Sequence, residues 1–272
     1  MIRSAGKPIL HYGWPVNWQS PLNRGLVAWW LKLPQRGGGN RYLDLCNRYH
    51  GTLQGATWGG NRTYGWGCLK FVRASSQYVS LASTVTAAPI TLTGWFYSDD
   101  TTNSQEILSC TNTGGTGEGF RLNANGAART IRAITTSGGT SRISTTSNLW
   151  TASTWNFGAA TFASATSRIA YLNGVSATEE TTSTTPSGVN GTAIGRLEFA
   201  SVINYFSGFL DDLRVYNRAL SGSEILQLYN AGRARYPREL NWIRRPLINA
   251  TAAAATQSWV VGGGVGGPSS VI

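Results

Sequence analysis

The stretch FSGFLDDLRVYNRALSGSEILQLYNAG, Phe206–Gly232, decides the fold class of this 272-residue chain. In its first half, Phe209–Tyr216 sets Leu210, Leu213 and Val215 among charged residues, which reads as a half-buried strand. Asp211 and Asp212 stand beside Arg214 there, close enough in sequence to pair internally. The second half is a helix. Ser221 followed by Glu224 is a capping box, Leu220 and Ile225 hold the staple positions, Ile225, Leu228 and Tyr229 make one apolar stripe, and Gly232 is expected to end it.

Upstream of this unit, short apolar or alternating runs recur between Gly, Asn, Ser and Thr. The predicted strands are Leu26–Leu33, Leu69–Val72, Tyr78–Leu81, Ile90–Tyr97, Glu106–Ser109, Phe120–Leu122, Thr130–Ile134, Arg142–Thr145, Trp155–Phe162, Arg168–Leu172 and Ala193–Gly195. Asn125-Gly126 and Asn173-Gly174 are predicted tight hairpins, because both pairs tolerate the positive φ of a type I′ turn. Alternation in Thr91, Thr93, Trp95 and in Ile169, Tyr171 predicts sheets with one buried face. One short helix after about a dozen strands predicts an all-β fold, an antiparallel β-sandwich with the helix crossing an end or edge. Residues 25–232 form its body, residues 1–24 an N-terminal arm with three prolines and two tryptophans, and residues 233–272 a basic, then Ala- and Gly-rich C-terminal tail.

Composition narrows the chemistry. Apolar residues make up 41% and charged residues 13%, so a large core can be buried and disorder is excluded. No apolar run is long enough to span a membrane, and residues 1–20 lack the apolar core of a secretory signal. The net charge of +11 comes almost wholly from Arg, whose planar fork suits interfaces. Those residues are scattered, without the basic runs of a nucleic-acid surface, so no nucleic-acid partner is expected. Two histidines and twelve carboxylates leave few acid/base groups. Cys46, Cys68 and Cys110 have no metal-ligand spacing and read as buried thiols, with a single disulfide left open.

Phe206–Gly232 resembles the last strand and following helix of laminin-G-like, concanavalin A-like jelly-roll domains. Further pieces fall in the family's order: GLVAWW at Gly25–Trp30, DLCNRYHGTL at Asp44–Leu53, FVRASSQYVSL at Phe71–Leu81, ITLTGWFY at Ile90–Tyr97, WNFGAATF and RIAYLNGV within Trp155–Val175, and AIGR at Ala193–Arg196. The resemblance implies a jelly roll in which Trp95 and Trp155 are core aromatics. Where many relatives carry an acidic loop resembling FDGxDDYV, this chain has Arg73 in place of the Asp and Ser76-Gln77 in place of the acidic pair. That removes most of the charge a calcium site uses, so no cofactor is expected and calcium is unsupported.

The resemblance alone does not assign function, since this fold carries lectins, glycosidases, adhesion modules and virion proteins. Retaining glucanases of the class carry Glu-x-Asp-x-x-Glu on a strand, which holds two carboxylates about 5–5.5 Å apart. The motif is absent. The acid pairs Asp99-Asp100, Glu179-Glu180 and Asp211-Asp212 are adjacent residues, which on a strand point to opposite faces. His11 and His50 read as solvated or core-satisfied. The chain is therefore expected to be non-catalytic, with no catalytic or metal-binding residue.

Two uses remain. In one, Trp58, Asn61, Trp66 and Asn148 hold a glycan by stacking and planar hydrogen bonds. In the other, the chain is a structural component of an assembly. An arm before GLVAWW and a YPRELNWIRRP segment after the helix resemble laminin-G-like proteins encoded among virion genes of tailed phages. That resemblance implies a capsid decoration or cement protein at the virion surface, made in the host cytoplasm, with other protein subunits as partners in a homo-oligomer or on a capsid. The tail residues Arg233, Arg235, Tyr236, Arg238, Trp242, Arg244 and Arg245 combine guanidinium groups with aromatic anchors, the composition of a binding hot spot. They are the expected partner-binding residues.

Overall fold

A computed structural model of the protein describes residues 16–32, 39–59, 67–115, 117–199 and 203–233. In chain order the strands are β1 (Leu26–Trp30), β2 (Arg41–Tyr42), β3 (Gly51–Gln54), β4 (Thr57–Gly59), β5 (Cys68–Phe71), β6 (Tyr78–Ala82), β7 (Ile90–Tyr97) and β8 (Ser104–Thr111). They continue as β9 (Gly119–Asn125), β10 (Thr130–Ser137), β11 (Thr140–Thr145), β12 (Trp155–Ser164), β13 (Ser167–Leu172), β14 (Val175–Ser176), β15 (Gly191–Ile194) and β16 (Gly208–Tyr216), and α1 (Gly222–Arg233) follows. Every predicted strand appears, most with longer ends. The pieces missed, β2, β3, β4 and β14, are two to four residues long, too short to show a period.

The strands make two antiparallel eight-stranded sheets, the sandwich of a concanavalin A-like jelly roll. The first runs β14-β13-β12-β7-β16-β5-β4, with β1 also on β16, and the second β11-β10-β9-β8-β15-β6-β3-β2. Strand β16 is the keystone of the first sheet. Its start pairs with β5 at Gly208–Leu210, its end with β1 at Leu213–Tyr216, and a bulge lies between them where Asp212 takes φ 48°. A bulge inserts an unpaired residue and bends the strand, which lets one strand serve two partners along the same edge.

Two apolar clusters hold the sandwich. The inner one, between the sheets, includes Trp30, Leu92, Phe96, Leu122, Ile131, Trp150, Phe162 and Leu213. The second covers the outer face of the first sheet: Trp95, Phe157 and Tyr171 meet Leu220, Ile225 and Leu228 of the helix region, with Val16 and Leu26 beside them. Trp95 and Trp155 are both buried. The helix thus lies across a sheet face rather than at an end or edge, because the aromatics of β7 and β12 present an apolar surface wide enough to take its stripe.

The capping box forms as read. The Ser221 N–H donates to Glu224 at 2.9 Å and the Glu224 N–H to Ser221 Oγ at 3.3 Å. Gly232, however, does not end the helix, which runs through Arg233. A Cβ at Gly232 would lie 2.5 Å from Trp95 Nε1, so the glycine serves close helix-to-sheet approach. Asn173 and Gly174, at φ 53° and 83°, make the expected turn between β13 and β14. Asn125-Gly126 does not. Asn125 completes β9, the Gly126 N–H donates to Asn103 O at 2.8 Å, and Arg129 at φ 51° makes the left-handed step before β10.

Part of the predicted arm packs on the body. Val16 belongs to the second cluster, and Arg218 donates to Arg24 O at 2.6 Å and Pro21 O at 3.3 Å. Residues 1–15 of the predicted arm and 234–272 of the predicted tail lie outside the described residues.

Candidate functional site

The outer face of the second sheet carries its charged chemistry. Glu106 on β8 faces Asn123 on β9, and Asn123 faces Arg132 on β10, so the three form one row across the strands. Glu106 is fully buried; it accepts Asn123 Nδ2 at 3.0 Å, and Arg121 Nη1 stands 3.5 Å away. Arg121 also donates to Thr136 Oγ1 at 3.2 Å and Ser141 Oγ at 3.4 Å. Burial pushes the Glu106 carboxyl up, against the lowering effect of Arg121.

The chain after β15 lies over this row. Ser109 Oγ donates to Arg196 O at 2.9 Å, Thr111 Oγ1 donates to Glu198 O, and the Glu106 N–H donates to Asn204 O at 2.9 Å. Arg196 stacks on Tyr78, 3.3 Å from the ring centroid, and pairs with Glu198 at 2.7 Å. One carboxylate held among guanidinium and amide groups is a structural network, whereas glycoside cleavage uses two that face each other.

Several other acids hold the fold. Asp44 accepts the N–H groups of Trp29, Cys46, Arg48 and Tyr49 at 2.8–2.9 Å, and so ties the segment after β2 to β1. Asp211 takes Tyr42 Oη at 3.3 Å, while Asp212 takes Trp29 Nε1 at 2.6 Å and Arg214 Nε at 2.9 Å. Tyr42 lies in the inner cluster and Trp29 packs on the outer one, so the two neighbours do point apart. In the same way Glu179 bonds Ser167 and Glu180 pairs with Arg168 at 3.0 Å, adjacent residues of β13. His50 is structural: its Nδ1 accepts the Asp44 N–H at 3.1 Å. His11 lies outside the described residues.

All three cysteines are buried. Burial pushes the Cys46 thiol up to about 12 and the Cys110 thiol up to about 11, so neither supplies thiolate near neutral pH.

Arg73 opens a short turn between β5 and β6. Its Nε lies 3.1 Å from Asp100 Oδ2 and its Nη2 donates to Ser104 O at 2.8 Å. No group of three or more His, Cys, Asp or Glu side chains placed to hold a metal occurs among the described residues. The donor set at this turn does not fit calcium, because a guanidinium already occupies the Asp100 and Ser104 oxygens.

Of the residues expected to hold a glycan, the two described ones, Trp58 and Asn148, are not brought together. Trp58, half-buried on edge strand β4, donates to Gly39 O at 3.1 Å, meets Tyr42 edge-on, and has Lys32 Nζ 4.4 Å from its ring centroid. Asn148 donates to Leu172 O at 3.2 Å, at the end of β13 on the opposite side of that sheet. At about 4.8 Å per strand, the steps from β4 to β13 place them roughly 24 Å apart. Asn61 and Trp66 lie outside the described residues. Of the predicted partner-binding set, Arg233 closes α1 with its guanidinium 6.0 Å from the Tyr229 ring. Arg235, Tyr236, Arg238, Trp242, Arg244 and Arg245 lie outside the described residues.

A family model described as Laminin_G_3, concanavalin A-like lectin/glucanases superfamily, matches residues 73–226, more than half of the chain. No curated protein matches the sequence. Among solved structures, domain 4 of AbnA, an extracellular GH43 arabinanase from Geobacillus stearothermophilus in complex with arabinotriose, is similar at TM-score 0.58 and 14% identity, covering 75% of this chain and 98% of that one. The Trypanosoma rangeli sialidase gives 0.55 at 15%, covering 76% of this chain, which spans only 32% of the sialidase. The receptor binding domain of botulinum neurotoxin type G gives 0.55 at 14%, with 76% and 51% covered. At these identities the likeness is one of fold. Together with the sandwich topology, the model match places the chain in a known group: it belongs to the laminin-G-like family of the concanavalin A-like lectin/glucanase superfamily.

Proposed function

We propose that the chain is a non-catalytic recognition module that serves as a structural component of a larger assembly, a phage virion decoration or cement protein. The observation that carries the non-catalytic part is the engagement of the carboxylates. The one on the sheet face, Glu106, is buried beside Arg121 and Asn123, and the pair on β16, Asp211 and Asp212, splits to opposite sides of its strand. What such a domain still offers is a rigid scaffold and its surface.

The assembly role is supported by composition. Five arginines within Arg233–Arg245, interleaved with Tyr236, Trp242 and Ile243, supply guanidinium and ring contacts that desolvate well at interfaces. Because α1 runs through Arg233, a chain truncated after that residue keeps every described element. It is expected to fold but not to enter particles, whereas the full chain attaches and stays attached in salt well above physiological strength. Normal incorporation of the truncated chain would remove the tail from the proposal.

A second reading is glycan recognition, favoured by the arabinanase domain, whose structure was solved with arabinotriose. Binding of the full chain on a glycan array, lost on Trp58→Ala, is the result this reading expects.

A further inference from the structure

We infer that Arg73 acts as a built-in cation, replacing a bound divalent ion as the cross-link between the two loops that pass from sheet to sheet at one end of the sandwich. The loop from β5 to β6 leaves the first sheet for the second, and so does the loop from β7 to β8. Nothing in the ladders ties these crossings to each other, because their hydrogen bonds run within each sheet.

Arg73 bridges them. Its guanidinium binds one carboxylate oxygen, Asp100 Oδ2 at 3.1 Å, and one main-chain carbonyl oxygen, Ser104 O at 2.8 Å. Carboxylate and carbonyl oxygens are the ligand types that calcium takes. Here two N–H donors meet them instead, in the fixed fork geometry of a group that is always charged.

Both loops are built for this contact. Gln77 Oε1 accepts the Val72 N–H at 2.8 Å and closes the base of the Arg73 turn, so the side chain that replaces an acid is engaged in shaping the loop. In the facing loop, Asp100 Oδ1 accepts the Thr102 and Asn103 N–H groups at 3.0 Å each, and Oδ2 accepts Asn103 Nδ2 at 3.0 Å together with Arg73 Nε at 3.1 Å. Burial alone would raise the Asp100 carboxyl, but the hydrogen bonds from Asn103 and Thr102 outweigh it and hold the group down to about 2. The carboxylate therefore stays charged across the ordinary pH range. A divalent ion brought to the same oxygens would meet the guanidinium's positive charge.

The test is thermal melting of the full chain with and without millimolar calcium, beside melts in EDTA, for wild type and Arg73 variants. Wild type is expected to melt at the same temperature in all conditions. Arg73→Met is expected to melt about 2–6 °C lower, a loss of roughly one to two partly exposed hydrogen-bonded contacts in a domain of this size, with faster hydrogen exchange across residues 98–105. Arg73→Asp is expected to melt lower without calcium and to regain stability with it. A calcium or EDTA shift in wild type would overturn the inference. So would unchanged melting and exchange in Arg73→Met, or an Arg73→Asp chain indifferent to calcium. Should Arg73→Met fail to fold, Arg73→Lys decides the matter: it keeps the charge but not the fork, and full wild-type stability and exchange would refute the bridging role.

Discussion

Replacing Gly232 with alanine sets two effects of opposite sign against each other in the last turn of α1. Helix propensity favours the change by at most about 1 kcal/mol. Packing opposes it, because the new methyl would stand 2.5 Å from Trp95 Nε1 and 2.7 Å from Cε2 and Cζ2. The indole cannot withdraw easily: it is 1% exposed, stacked on Tyr229 at 5.8 Å and packed against Phe157 at 5.4 Å. Overpacking of a filled core costs about 1–3 kcal/mol. With the clash at the upper end of that range, the net loss is about 1–2 kcal/mol, or roughly 3–6 °C in Tm for a body of this size. Urea unfolding followed by tryptophan fluorescence measures the difference. Gly222→Ala is the control, since its new methyl would meet nothing closer than Tyr171 Cε1 at 3.8 Å. If Gly232→Ala is as stable as wild type or more so, the end of α1 does not rest on Trp95 and the account of the second cluster fails.

Arg121→Met leaves Glu106 buried without its counter-ion and is expected to cost about 3–5 kcal/mol near neutral pH. The loss shrinks as pH is lowered, because protonation neutralises the stranded carboxylate, and Glu106→Gln combined with Arg121→Met recovers part of it; urea titrations at several pH values check both. Asp44→Ala removes four backbone hydrogen bonds at once and is expected to cost about 3–5 kcal/mol, read from the same denaturation curves. The Glu224 carboxyl is lowered from 4.5 to about 2, chiefly by Arg218. Its stabilising contribution is therefore full above 4.5 and is lost as pH falls toward 2; Glu224→Gln should flatten the decline in Tm over that window.

The strand–helix unit at the C-terminal end of the body could be read from sequence because its signals are local. Ser221, Glu224, Leu220 and Ile225 cap and staple through contacts only a few residues apart. What escaped depends on distant contacts. Gly232 looks like a helix stop until Trp95 is found beneath it. Asn125-Gly126 looks like a two-residue turn, but Asn103 O captures the Gly126 N–H and moves the reversal to Arg129. Asp44 carries no motif that announces four donors, three of them within the next five residues and one on β1. Loss of the acidic loop was visible in FVRASSQYV, yet that Arg73 bridges to Asp100 and Ser104 follows only from the paired sheet crossings. The separation of Trp58 from Asn148 was not legible either, because neither residue carries a period that would show one on β4 and the other bonded to the far end of β13.

The most direct test of a non-catalytic module is a sensitive reducing-end assay of the full chain against a broad panel of polysaccharides. The carboxylate network predicts no turnover above the buffer blank for any of them. Sustained hydrolysis that disappears in Glu106→Gln, with the variant still folded, would contradict it.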